Sequence, residues 1–299
     1  MISITLLFTA SCSTPDAAVP ELQTPTPLHL TDQATFTPPA QSTNTPRMTS
    51  PPTLTATPET RACTSKSGQV IKSSLQDPGL FRDMPFRVYL PPCYGKEPDQ
   101  EYPTLYLLHG LQGSDRQWDQ LGVDEAADRL ISSGALHPFI IVMPWHRTGI
   151  DLIEAVPEIL LPHIEETYAA RPQRAYRSIG GLSKGGGQAL EIGLKYPQLF
   201  SAVGMHSPAV QYLDAIILDW ATSIPAERRP SLWIDIGMQD SLYPAAQSLI
   251  TALQNNNIPI TIQINEGDHL PEYWKSHLDE YLSWYSLNWK RAWLKDLPH

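Results

Sequence analysis

The sequence predicts an α/β fold: a mostly parallel central sheet with antiparallel N-terminal edge strands and helices on both faces. Three observations carry this. Short, mostly apolar runs at Thr104–Leu108 and at residues 139–143 and 232–236 each end in a loop signal, as strands do when both faces of a parallel sheet are covered. Amphipathic stretches with helical spacing lie between them, and strand alternating with helix through short links is the pattern of a parallel sheet. Ahead of these, Gln69–Leu75 and Met84–Leu90 alternate apolar with polar residues, which marks half-buried antiparallel strands at an edge.

Helical patterns run over residues 123–131, 188–194 and 245–253, and over 152–168 with Ile153, Val156, Leu160 and Ile164 on one stripe. Further strands are expected at residues 175–180 and 258–264. Trp284, Tyr285, Trp289 and Trp293 read as helix packing rather than a binding stripe. No internal repeat is present. In such folds sites form beyond the carboxyl ends of the strands, so the loops following them should carry the chemistry.

The chain is 299 residues long with a net charge of -10. That balance argues against a nucleic-acid partner, because phosphate affinity needs clustered Lys and Arg. No apolar run reaches the roughly 18 to 20 residues that a spanning helix needs. Ten of the 29 prolines lie before residue 60, alternating with threonines. Such a stretch cannot hold a helix and has too little apolar bulk to offset the entropy of ordering. Residues 13–62 are therefore expected to be a disordered, extended linker, leaving residues 63–299 as the folded domain.

Residues 1–12 form a short apolar segment ending in Ala10, Ser11 and Cys12. The segment resembles the hydrophobic core and lipobox of a bacterial lipoprotein signal, with Thr9 where Leu is usual and without a positive start. Lipid attachment at Cys12, plain secretion and an unprocessed tail all remain open, the first two placing the domain outside the cytoplasm, tethered to the cell surface or secreted. Cys63 and Cys93 then form an even pair, which in an exported chain suggests a disulfide.

The chemistry centres on Gly181-Leu182-Ser183-Lys184-Gly185, a G-x-S-x-G pattern between an expected strand and an expected helix. A Cβ at Gly181 or Gly185 would collide with neighbouring backbone in so tight a turn, and the strain lifts the Ser183 hydroxyl above the sheet. A serine hydroxyl needs a base, expected as a late His, and the His needs an acid from the loop after an intervening strand. Asp240 lies beyond the strand at 232–236; Asp235 competes but sits within the strand. His269 lies in the loop after the last strand. His109, His146 and His206 also follow strands but precede that loop; His206 could line the pocket. The developing oxyanion needs two N–H donors, expected from the amides of Lys184, next to the nucleophile, and Leu111, in the loop after the first long buried strand.

These residues resemble the esterase family of α/β-hydrolases that includes esterase D, feruloyl esterases, enterochelin esterases and the mycolyltransferase antigens. The likeness spans most of residues 68–290. It rests on Leu107-Leu108-His109-Gly110 with Asp115 and Trp118, on Val142-Met143-Pro144, on the Ser183 motif, on Gly237-Met238-Gln239-Asp240, and on Gly267-Asp268-His269 with Trp274. The resemblance implies the α/β-hydrolase fold, a Ser183–Asp240–His269 triad and an oxyanion hole from Leu111 and Lys184. Where the family more often has Met after the serine, Lys184 places a cation beside the nucleophile, which bears on acyl preference.

The implied function is an exported serine carboxylesterase acting through an acyl-enzyme on carbohydrate-linked esters, feruloyl or acetyl. Acyl transfer, siderophore-ester hydrolysis and a non-catalytic glycan-binding role are the alternatives. Trp118, Trp145 and Trp274 are expected near the pocket, suiting an aromatic acyl group or sugar. No cofactor is required, and no residue set resembles a zinc site. The expected partners are a small-molecule or carbohydrate ester and, if Cys12 is lipidated, a membrane surface.

Overall fold

The computed structural model describes residues 63–211 and 214–296. The chain separates into two units, Met1–Glu59 and Thr60–His299, and all described residues belong to the second. The expected export segment, the Thr/Pro linker and Cys12 lie outside the described residues.

Among the described residues eight strands form one sheet. They are β1 (Gln69–Leu75), β2 (Met84–Leu90), β3 (Thr104–Leu108), β4 (Ile140–Pro144), β5 (Arg177–Leu182), β6 (Ala202–His206), β7 (Ser231–Gly237) and β8 (Thr261–Asn265). The order across the sheet is β1-β2-β4-β3-β5-β6-β7-β8. β1 and β2 are antiparallel to each other, and β2 is antiparallel to β4. From β4 to β8 every pairing is parallel. This is an α/β-hydrolase fold. Because β3 lies between β4 and β5, the winding reverses at its carboxyl end, and such a switch point opens the crevice where a ligand binds.

The strands divide their side chains between two cores with the period of two that a pleated strand imposes. On β3, Tyr106 and Leu108 enter one core with Phe200, while Leu105 and Leu107 enter the other with Trp118 and Trp289. On β7, Leu232, Ile234 and Ile236 face the first and Trp233 the second. The mostly apolar runs thus have their cause in a sheet covered on both sides.

The covering helices are α1 (Gln117–Leu121), α2 (Val123–Ser132), α3 (Leu152–Ala155), α4 (Leu161–Thr167), α5 (Lys184–Lys195), α6 (Asp214–Ser223), α7 (Tyr243–Asn255), α8 (Pro271–Ser276) and α9 (Leu278–Asp296). The single helix expected over 152–168 is instead α3 and α4 joined by a π-helical turn, Val156–Leu160. Pro157 and Pro162 account for this, since each lacks an N–H and clashes with the preceding turn. The apolar stripe still faces the core: Val156, Leu160 and Ile164 are fully buried and Ile153 nearly so. α5 begins four residues before the expected start, directly after Ser183. Its glycines read as loop in sequence, yet tertiary packing holds them helical. Cys63 and Cys93 are joined by a disulfide that ties the segment before β1 to the loop after β2.

Candidate active site

Ser183 occupies the turn between β5 and α5 with a positive φ of 54°. That strain is held by backbone bonds. The Ser183 N–H donates to the His206 carbonyl at 2.9 Å, and the Ser183 carbonyl accepts from the amides of Gly186 at 3.0 Å and Ala209 at 2.9 Å. A Cβ at Gly181 would stand 2.4 Å from the Gly185 carbonyl, and one at Gly185 would stand 2.4 Å from the Leu108 carbonyl oxygen. Only glycine fits either position, because β5, α5 and the end of β3 meet there backbone to backbone.

The structure brings Ser183, His269 and Asp240 together from three loops. The Ser183 hydroxyl lies 2.9 Å from His269 Nε2, and His269 Nδ1 lies 2.8 Å from Asp240 Oδ2. Because a carboxylate only accepts, Nδ1 carries the ring proton and Nε2 is free to accept from Ser183. The other Asp240 oxygen accepts from the Leu242 amide at 2.8 Å. Burial alone would raise the Asp240 carboxyl; the bonds from the His269 ring and the Leu242 amide outweigh it and hold the group below its ordinary value. The loops carrying Asp240 and His269 are fastened to each other. The Gly267 amide donates to the Gln239 side chain at 2.7 Å and the Gln239 amide to the Gly267 carbonyl at 3.0 Å.

Leu111 and Lys184 stand where the oxyanion donors are expected, on the loop after β3 and at the first residue of α5. Neither amide has an acceptor among the described residues, and the first N–H groups of a helix have no intrahelical partner. A cavity of about 380 Å³ opens between these loops, lined by Gly110, Leu111, Gln112, Gly113, Gln117, Leu182, Ser183, His269 and Trp274. Trp274 stands edge-on to the His269 ring at 5.0 Å. Gln117 was not singled out in the sequence; its side-chain oxygen accepts the Gly110 amide at 2.8 Å and so supports the same loop. Its place beside Trp118 in a family-like block is the signal that could have found it.

Three of the expected pocket residues do not line this cavity. Trp118 is buried beneath it, its indole N–H donating to the Leu108 carbonyl at 3.0 Å. His206, last residue of β6, is also fully buried, because its ring is engaged on both sides by Asp235 and Tyr285. Trp145 is absent from the cavity wall and instead carries the Arg147 guanidinium over its ring at 5.1 Å. Asp235, the competing acid, faces away from His269: one oxygen accepts from His206 Nδ1 at 2.5 Å and the other from the Tyr281 hydroxyl at 2.8 Å.

The remaining polar groups behind the site form a chain. The Lys184 ammonium lies 3.0 Å from His146 Nδ1, the His146 amide donates to His109 Nε2 at 2.8 Å, and His109 Nδ1 donates to the Gly110 carbonyl at 2.6 Å. Burial lowers the proton affinity of both imidazoles and of the Lys184 amine, and the neighbouring Lys184 charge lowers both imidazoles further. The sequence placed Lys184 as a cation beside the nucleophile; the structure turns it back onto an imidazole. Among the described residues no three His, Cys, Asp or Glu side chains converge as a metal site.

Comparison with known proteins adds the following. The family described as "Putative esterase" matches residues 78–149 and 150–285. An endo-1,4-beta-xylanase/feruloyl esterase of Xylanibacter ruminicola is 30% identical over 136 residues, covering 40% of this chain and 19% of that protein. This chain therefore spans about a fifth of that relative's length. An acetyl esterase of Caldicellulosiruptor saccharolyticus is 22% identical over 237 residues, covering 64% of this chain and 87% of that protein. A solved ferulic acid esterase superposes with a TM-score of 0.67 at 25% identity, covering 74% of this chain and 99% of that one.

Proposed function

Since this chain belongs to the "Putative esterase" family of α/β-hydrolases, we propose that it is a carboxylesterase with Ser183 as its nucleophile, His269 its general base and Asp240 the acid that orients the base. One observation carries the reading: the unbroken line from Asp240 Oδ2 through the His269 ring to the Ser183 hydroxyl, at 2.8 and 2.9 Å.

The geometry supports a two-step reaction. His269 Nε2 takes the Ser183 proton as Oγ attacks the ester carbonyl carbon, and the carbonyl electron pair moves onto oxygen as an oxyanion. The Leu111 and Lys184 amides face that oxygen, each such donor being worth about 3 kcal/mol in the transition state. The tetrahedral species collapses, the C–O bond to the alcohol breaks, and His269 returns the proton to the leaving alkoxide. Water, deprotonated by the same nitrogen, then attacks the acyl-enzyme and releases the carboxylic acid and free Ser183. Asp240 remains ionised and stabilises the imidazolium formed in each step.

The substrate we propose is a feruloyl or acetyl ester of a carbohydrate. The names of the feruloyl and acetyl esterase relatives support it, as does a cavity that sets Leu111, Leu182 and Trp274 beside Ser183. We propose an extracytoplasmic location, supported by the Cys63–Cys93 bridge, which persists in oxidising compartments. Lipid attachment at Cys12 is the accompanying proposal. Labelling with a radioactive fatty acid checks it, and an unlabelled wild type removes it.

The nucleophile is tested with a small chromogenic acyl ester and with feruloylated and acetylated oligosaccharides. Ser183→Ala is expected to abolish turnover of all three; equal rates in wild type and variant would remove Ser183 from the mechanism.

A further inference from the structure

The two amides proposed as oxyanion donors belong to different loops, and one hydrogen-bonded chain joins them. It starts at Lys184, whose own amide is one donor. An ammonium has no lone pair, so its 3.0 Å contact with His146 Nδ1 makes that nitrogen the acceptor and puts the His146 ring proton on Nε2. The His146 backbone N–H donates to His109 Nε2, which places the His109 proton on Nδ1, and Nδ1 donates to the Gly110 carbonyl. Gly110 C=O and Leu111 N–H are the two ends of one planar peptide unit. Fixing the carbonyl therefore fixes the direction of the second donor. The Gly113 amide also bonds that carbonyl at 3.0 Å, so the peptide is held from two sides.

We propose that the Lys184 side chain is a clamp that sets the two halves of the oxyanion hole in register, acting through His146 and His109 on the Gly110–Leu111 peptide. Lys184 and His146 are thus positioning residues. The inference rests on the reading of Ser183 as nucleophile. It assigns the Lys184 side chain a role beyond that of its amide, and it explains how a lysine is accommodated here: its partly desolvated ammonium finds an imidazole lone pair as acceptor.

The physical consequence is specific. Oxyanion donors contribute only while aimed at the position the charge will occupy. Loosening the Leu111 peptide should lower kcat and leave substrate binding nearly intact, because the ground-state carbonyl depends on those donors far less than the oxyanion does. It should also slow phosphonylation of Ser183 by a fluorophosphonate, in which the P–O bond forms, fluoride leaves and charge develops on the phosphoryl oxygen that the same donors face.

The experiment uses the full chain with Lys184→Met, which keeps an unbranched side chain but removes the donor, with His146→Ala, with the double variant, and with Lys184→Arg, which restores a donor. The readouts are kcat and KM on a chromogenic acetate ester, the rate of covalent labelling by a fluorophosphonate, and Tm. Each single removal is expected to lower kcat and labelling about tenfold, less than loss of an entire donor, with KM changed less than about twofold. The double variant should be no slower than the slower single one, since both break the same chain, and Lys184→Arg should recover part of the loss. Wild-type kcat in Lys184→Met with unchanged Tm overturns the clamp, as does a double variant whose losses multiply. Active Ser183→Ala would instead defeat the nucleophile reading, so the two failures are distinguishable.

Discussion

The Tyr285 hydroxyl meets His206 Nε2 at 3.1 Å in the interior, resting over Gly180 and Gly204 of adjacent strands. A Cβ on either glycine would come within 2 Å of that oxygen, at 1.8 Å from Gly180 and 1.9 Å from Gly204. The phenol donates to Nε2, because Nδ1 of the same ring donates to Asp235. α9 thereby reaches across the sheet to the residue whose carbonyl holds the Ser183 amide.

Tyr285→Phe leaves a buried imidazole nitrogen without a partner and should cost about 1–3 kcal/mol. That loss is expected as a drop of several degrees in Tm. Gly204→Ala, which drives a methyl into the phenol, should cost more than Tyr285→Phe. Thermal unfolding of both variants checks the order, and a Tm unchanged in both would show that the contact contributes nothing.

The two acids should fail differently. Asp240→Asn is expected to lower kcat by about 10³- to 10⁴-fold with the fold intact, because an amide cannot select the productive His269 tautomer. Asp235→Asn replaces one of two buried accepting oxygens by a donor that faces His206 or Tyr281 and should cost about 1–3 kcal/mol of stability. Steady-state rates and urea unfolding on both proteins separate the roles; if Asp235→Asn instead showed the larger kcat loss at full stability, the assignments would be exchanged.

Acid and base limits of stability carry opposite signs at Asp124 and Asp240. Burial and the adjacent Glu125 raise the Asp124 carboxyl from 3.8 to about 7, and its buried Oδ1 has no partner. The folded state thus keeps a proton that the unfolded chain releases, so this contribution is full below 3.8, shrinks as pH rises, and is gone above about 7. Asp124→Asn should raise Tm at pH 8 and change it little at acid pH. Asp240, held below its usual value of 3.8, contributes fully above that pH and loses its contribution only as pH falls through the lowered value. Calorimetry from pH 3 to pH 9 on wild type and Asp124→Asn reads the Asp124 limb; a Tm difference independent of pH would refute the Asp124 assignment.

The Cys63–Cys93 bridge closes a sequence separation of 30. Replacing both cysteines by serine should lower stability by about 3–4 kcal/mol in the chain-entropy account. Peptide mapping without reductant should recover residues 63 and 93 in one cross-linked fragment, and two separate free-thiol peptides would disprove the bridge.

Much of this protein is written locally. The alternation in Gln69–Leu75 and Met84–Leu90 and the apolar run Thr104–Leu108 define strands at the bounds the structure shows, because burial on one face or on two leaves its period in the chain. The glycines around Ser183 and the order Ser183, Asp240, His269 are equally local signs of a strained turn and of loops after successive strands. What depends on distant partners was not legible. Gly185, Gly186 and Gly187 read as loop, yet they are helical because β3 and Pro208 pack close against them. Trp118 and His206 follow or end strands as pocket residues would, but whether such a side chain points to solvent or to the core depends on α9 and on Asp235, 29 residues beyond His206. The turn of Lys184 away from the cavity has the same origin: no pattern near Ser183 encodes His146, and only the pairing of β4 beside β3 brings that acceptor within 3.0 Å. The sequence alone determined the fold class, the strained turn at Ser183 and the chain order of Ser183, Asp240 and His269; tertiary structure decided which polar side chains face the cavity and which face each other, because those choices are made by contacts between elements and not within them.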